Sequence, residues 1–393
     1  MAILSDVRPG NRRGGFRSPG PERSHIRLFG ARRRLIGHAV WLGLVLVASR
    51  APAQGRQTGA RLDFPWPVKT REHVDLWLHG FAMVEDDSAQ IPLFRRGYRD
   101  DITVEKNKAS VLTKLDANRD QLHARFALNP NLRAAQFLAL ETGTWEELRG
   151  LITVFLKAKG NASQLNNRQG AHTLAVMARA FPSAADREWL QLFTESLDDE
   201  SERWYHAYWI RQQRERGATL AAVDSLWQRS YRSKFQRFLN NTQEETGDLL
   251  LSLPLDGEGR TQLESKRANV IAVSFPDSTQ TAITAIYVFA HEAVGRIAAS
   301  AIVDNTTPAQ QRQGVTERYA NRAAVRGGLL LLQRTAPELV DGYCRYYLTA
   351  ANVAVPATAP PATLPAALAD AFPLPDLIRD ALAQELDVVI GGI

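Results

Sequence analysis

The stretch from Thr279 to Val303 constrains this chain more than any other. Nearly every residue in it is apolar or small, yet His291 and Glu292 stand side by side near its middle, in Ala290-His291-Glu292-Ala293-Val294-Gly295. Ile283, Ile286, Tyr287, Ala290, Val294, Ile297 and Ala298 recur at helical spacing, with Asp277-Ser278 and Asp304-Asn305 supplying the ends. The segment therefore reads as one long buried helix over 279–303. An ionisable pair in so apolar a helix is costly unless it is partnered. The partner can be a metal, an acidic neighbour or backbone for His291, and an ion pair with Arg296, four residues on, for Glu292.

The flanking segments define the setting. Asn269 to Pro276 is rich in β-branched residues and ends in proline, which predicts a buried strand over 269–275. Pro308 opens a helix that reaches about residue 333, and Pro337 starts another through 347. Upstream, Val104, Leu115, Leu122 and Phe126, then Leu148, Leu151, Ile152 and Phe155 after the cap candidate Thr144, keep helical spacing. The run Asp75 to Phe81 is too apolar for a loop and is left between strand and helix. Residues 353–366, rich in Pro, Ala and Thr, read as an extended linker, and 372–389 as an amphipathic terminal helix. No fixed 34- or 40-residue self-similarity supports a solenoid. The expected fold is mainly α (α+β): a helical array with a small sheet packed on the helix of His291. Within one continuous body, 54–248 form a helical N-terminal region, 249–350 the strand-and-helix region, and 351–393 the linker and last helix.

Composition bears on compartment and partners. The 393 residues carry a formal charge of +6, but residues 1–53 hold ten arginines against Asp6 and Glu22, a net of +8 that leaves −2 for the rest. Arg32-Arg33-Arg34, the apolar run Ala39–Ala48, then Ala51 and Ala53 resemble a secretory signal cleaved before Gln54. The mature chain is then expected in a periplasmic or extracellular space, with no stable membrane span, because the apolar run is about half of the roughly 20 residues a span needs. Arg32-Arg33 leaves a twin-arginine export route open. With the basic excess confined to the leader, nucleic acid is not expected as a partner. Cys344 is the only cysteine and reads as a core residue. No Gly-x-Ser-x-Gly elbow, phosphate-binding loop or dinucleotide fingerprint occurs.

A strand, a polar turn and an apolar helix carrying His-Glu resemble the zincin clan of zinc peptidases, and the resemblance covers about residues 269–350. It implies that His291 ligates Zn²⁺, that Glu292 acts as catalytic base on the metal-bound water, and that a carboxylate on the next helix completes the set, as in the glutamate-ligand branch called gluzincins. Glu317 stands at a similar separation. The motif is degenerate, because Gly295 occupies the position of the second histidine. Candidates for the missing donor are His79, His172, His206, Glu338 and Asp341. The resemblance further implies a peptide or protein substrate pairing with an edge strand near Val270 to Phe275, and Arg318 or Tyr319 close to an oxyanion. The turn Asp256-Gly257-Glu258-Gly259-Arg260 could line a cleft, hold Ca²⁺ or be simply solvated. The expected function is an exported zinc peptidase or a catalytically degenerate relative; the alternative is a non-enzymatic helical binding or structural protein.

Overall fold

A computed structural model describes residues 66–86, 89–161, 170–263 and 269–391. The leader expected over 1–53 lies outside them. Among the described residues a short strand, β1 (Val68–Lys69), precedes the α-helices α1 (Glu72–Val84), α2 (Tyr98–Lys108), α3 (Lys114–Leu128), α4 (Trp145–Lys157), α5 (Ala171–Ala180), α6 (Ala184–Glu200), α7 (His206–Glu215), α8 (Gly217–Leu226) and α9 (Arg232–Asn241). Strands β2 (Gly247–Ser252), β3 (Arg260–Leu263) and β4 (Asn269–Ser274) follow. The chain then runs through α10 (Thr284–Ala293), α11 (Gly295–Asp304), α12 (Pro308–Arg312), α13 (Val315–Thr335), α14 (Val340–Ala350), α15 (Leu364–Ala371) and α16 (Asp376–Gly391). The fold is mainly helical with one small mixed sheet, as the sequence pattern implies.

The sheet order is β1-β2-β4-β3, with β1, β2 and β4 parallel and β3 antiparallel to β4. Both faces are covered, which explains why β4 is buried along its whole length. Leu250, Val270 and Ala272 point into a core shared with α1 to α6. Leu249, Leu251, Ile271 and Val273 point into a second core built by α8 to α10 and the C-terminal helices. Each such fully buried aliphatic side chain contributes roughly 1.5–3 kcal/mol. The described residues accordingly form one compact unit.

Several expectations need correction. β4 lies inside the sheet, paired on both sides, so the edge next to it belongs to β3, in the segment whose start read as a turn. The helix expected over 279–303 is interrupted: a 3-10 turn (Thr279–Thr281) leads into α10, and the chain tightens at Val294 (φ −89°, ψ −4°) before α11. The next helix is split by Gly314, whose φ of +74° suits glycine and ends α12. The expected linker over 353–366 already contains a 3-10 turn (Pro361–Thr363) and the start of α15. Asp75 to Phe81 belongs to α1, which is buried from His73 to Val84.

Thr144 caps α4 by accepting the Glu147 N–H at 3.2 Å, and Leu148, Leu151, Ile152 and Phe155 form its buried stripe. One charged cluster is sealed within the N-terminal helices. Glu200, fully buried, accepts from Lys106 Nζ at 2.9 Å, from His79 Nε2 at 3.2 Å and from the Thr113 hydroxyl. Burial pushes the Glu200 carboxyl up, but these partners outweigh it and hold it down at about 2. Its contribution is thus complete above about 4.5 and is lost as pH falls towards 2. Lys106→Met, which strips the lysine from a buried carboxylate, should cost about 3–5 kcal/mol in urea unfolding at neutral pH. That deficit should shrink on acidification below about pH 4.5, where the unfolded carboxyl protonates.

Candidate functional site

The His291-Glu292 pair sits where β3 docks on α10. Oε1 of Glu292 accepts the backbone N–H of Gly259 at 2.9 Å and the Nδ1–H of His291 at 2.8 Å, while its main-chain carbonyl accepts the Thr261 hydroxyl at 2.9 Å. Gly259 permits this approach, because a Cβ there would lie 2.2 Å from the Ala272 carbonyl oxygen and 3.2 Å from Cγ of Glu292. A carboxylate only accepts, so the shared proton resides on Nδ1. The His291 ring stacks on Tyr347, centroids 5.4 Å apart and planes at 19°, and the Tyr347 hydroxyl donates to the Gly257 carbonyl at 3.0 Å. His291 is 3% exposed, and its Nε2 is buried without a partner.

A cavity of about 360 Å³ opens beside this pair. Glu258, Gly259, Arg260 and Thr261 form the wall on the β3 side, His291 and Glu292 contribute from α10, and Asn321 from α13. Glu244, in the turn between α9 and β2, Arg296 on α11 and Thr316 on α13 add to the polar lining. Burial pushes the Glu244 carboxyl up to about 7, against the smaller opposing effects of Arg296 and the Thr242 hydroxyl. The remaining lining is small, Gly295, Ala299, Ala320 and Ala324 among it. A Cβ at Gly295 would meet nothing within 4 Å.

His291 and Glu292 are therefore together, but Glu317 is not with them. Glu317 is exposed in the first turn of α13, and its Oε2 turns back to within 3.7 Å of a Cβ built on Gly314, near the positive end of the helix. Thr316, Ala320, Asn321 and Ala324 present the face that meets the cavity. The other donor candidates are engaged elsewhere: His79 with Glu200, His172 with Glu141, His206 with Glu72, Glu338 with Lys234 and Asp341 with Arg345. Arg318 is exposed, and Tyr319 carries the Arg322 guanidinium over its ring. Nor does Arg296 pair with Glu292, since its guanidinium donates to the Thr242 carbonyl. Of the readings open for the turn at 256–260, the one that lines a cleft describes its second half. Cys344 is fully buried and burial pushes its thiol up to about 12, so it is inert. Glu244, Asn321, Thr261 and Tyr347 carry no motif; only the burial demanded by His291 signals that such partners must exist.

The donor set does not suit a zinc ion. Among the described residues, no three His, Cys, Asp or Glu side chains come together as a ligand group. Glu292 turns Oε1 to Gly259 and His291, Glu258 accepts from Asn321 Nδ2 at 3.3 Å, and Gly295 has no donor. A catalytic zinc takes three protein ligands. The chain matches no protein-family model, no curated protein and no solved structure.

Two outcomes follow from this geometry. Gly259→Ala should destabilise the fold by about 1–3 kcal/mol in chemical unfolding, because the methyl meets a fixed backbone carbonyl. Glu244, raised from 4.5 to about 7, favours the folded state at low pH, and that advantage is lost as pH rises from about 4.5 through 7. Glu244→Gln mimics the neutral acid, so above pH 7.5 the variant should melt higher than wild type, with the gap closing towards about pH 5.

Proposed function

We propose that the chain is an exported, zincin-like binding protein whose cleft takes an extended peptide without hydrolysing it. The observation that carries the reading is the edge strand β3 forming one wall of a cavity that also exposes His291 and Glu292. One side of β3 is paired with β4, and no strand pairs with the other among the described residues. A peptide added there would gain main-chain hydrogen bonds, with alternate side chains directed to opposite faces, one of them into the cavity. Hydrolysis is left out because the ligand set falls short of zinc: among the described residues no three His, Cys, Asp or Glu side chains come together, and Glu292 uses Oε1 to hold Gly259 and His291. Export rests on the arginine-rich leader, the short apolar run and the small residues at Ala51 and Ala53.

A random peptide library displayed against the purified chain tests this directly. Enriched peptides should slow hydrogen exchange of the β3 amides, lose binding to Ala320→Trp, which fills the cavity from an exposed position, and emerge uncleaved by mass spectrometry. Failure to enrich any peptide, or cleavage of those enriched, would contradict the reading. The zincin-like ancestry has its own test. Gly295→His should bind zinc more tightly than wild type in competition with a chromophoric chelator, since the new imidazole enters open space on the helix of His291.

A further inference from the structure

Two residues that line the same cavity each carry a buried polar atom with no partner. One such atom is Nε2 of His291; the other is Oε2 of Glu244, a residue 2% exposed. Both are acceptors. Nδ1 of His291 carries the ring proton because it faces the Glu292 carboxylate, which leaves Nε2 with a bare lone pair. Leaving such atoms unpaired costs about 1–3 kcal/mol each, so the cavity is built to receive hydrogen-bond donors.

The charge around them narrows the donor. Among the described residues, three carboxylates line the cavity: Glu244 before β2, Glu258 before β3 and Glu292 on α10. The two guanidiniums that share the lining are committed elsewhere. Arg260 lies 5.3 Å over the ring of Phe137, and Arg296 donates to the Thr242 carbonyl without forming an ion pair to Glu244. Of the hydroxyl and amide donors in the lining, Thr261 is engaged with the Glu292 carbonyl and Asn321 with Glu258, while Thr316 enters from the first turn of α13. Glu244 is held firmly in position, its N–H donating to the Leu239 carbonyl at 2.7 Å and its carbonyl accepting from the Trp66 indole at 3.2 Å. A neutral donor would satisfy Nε2 but leave the buried carboxylate with only the charge of Arg296, which forms no ion pair with it. A compact cation with several N–H groups satisfies both.

We infer that this cavity is a binding site for a primary ammonium group, borne either by a lysine-type side chain or by a free amino terminus, and received by the Glu244 carboxylate and Nε2 of His291. The inference deepens the peptide-binding reading by naming what the cleft recognises. The methylenes behind the ammonium would lie against Ala299, Ala320 and Ala324. Binding requires Glu244 to be ionised, so affinity rises as pH rises through about 7, in the range where Glu244 titrates with Arg296 as its nearest charged neighbour.

Calorimetric titration of the full mature chain with n-butylammonium, with n-butanol as the uncharged control, tests this without any peptide. The ammonium should bind and the alcohol should not, affinity should increase from pH 6 to pH 8, and Glu244→Gln, expected to fold at least as well as wild type at pH 8, should weaken binding about tenfold or more. Nα-acetyl-lysine amide and alanine amide then separate the two sources: binding of the first assigns the side chain, of the second the amino terminus. Equal binding of alcohol and ammonium, no binding of either, or affinity unchanged in Glu244→Gln would overturn the inference. If displayed peptides bind equally well with every amine acetylated, the ammonium site falls and peptide binding stands. If butylammonium binds and no peptide does, the reverse holds.

Discussion

A carboxylate and an imidazole in adjacent positions of an apolar helix have nowhere to go but inward, and the strand-and-helix half of this molecule is arranged around that fact. Glu292 answers it by accepting the Gly259 N–H and the Nδ1–H of His291 on a single oxygen. The bond to Gly259 is what fixes the start of β3 against α10, and β3 in turn becomes the outer strand of the sheet. Replace the pair with hydrocarbon and the helix would still bury its stripe, but the strand would lose its polar anchor and the cavity its wall. The unpaired Nε2 is the remainder of this arrangement: one nitrogen of the ring is used for structure and the other is left buried without a partner.

The same constraint decides between chemistries. A zinc peptidase needs its glutamate free to take a proton from bound water and its histidines gathered on one face. Here the glutamate is used to hold a strand, Gly295 leaves space where the resemblance would put a ligand, and Glu317 is drawn to the start of its own helix. The proposed binding role is consistent with all three features.

The sequence was legible where the requirement was local. The β-branched run of β4, the Thr144 cap with its apolar stripe, and the buried helix around His291 all follow from periodicity and propensity. It was not legible where the answer depended on which distant segment arrives. Arg260 to Leu263 is a strand because β4 and Glu292 offer it hydrogen bonds, not because its residues favour one, so it read as the end of a polar turn. The spacing of Glu317 matched an expectation, yet spacing along a helix does not say whether the first turn reaches the site or folds back on Gly314. Glu244 lies far from His291 in sequence and carries no pattern, so only the tertiary fold brings both to one cavity.

The central claim is that the His291 imidazole is bound to Glu292 through Nδ1 and that its Nε2 carries neither proton nor metal. A long-range ¹H–¹⁵N correlation spectrum of the chain, recorded while zinc is added to stoichiometry, reads both nitrogens of that ring. The account predicts a protonated Nδ1 and a bare Nε2 whose shift is unchanged by zinc. A proton on Nε2 in the metal-free protein, or an Nε2 signal that moves and saturates at one equivalent of zinc, would contradict it.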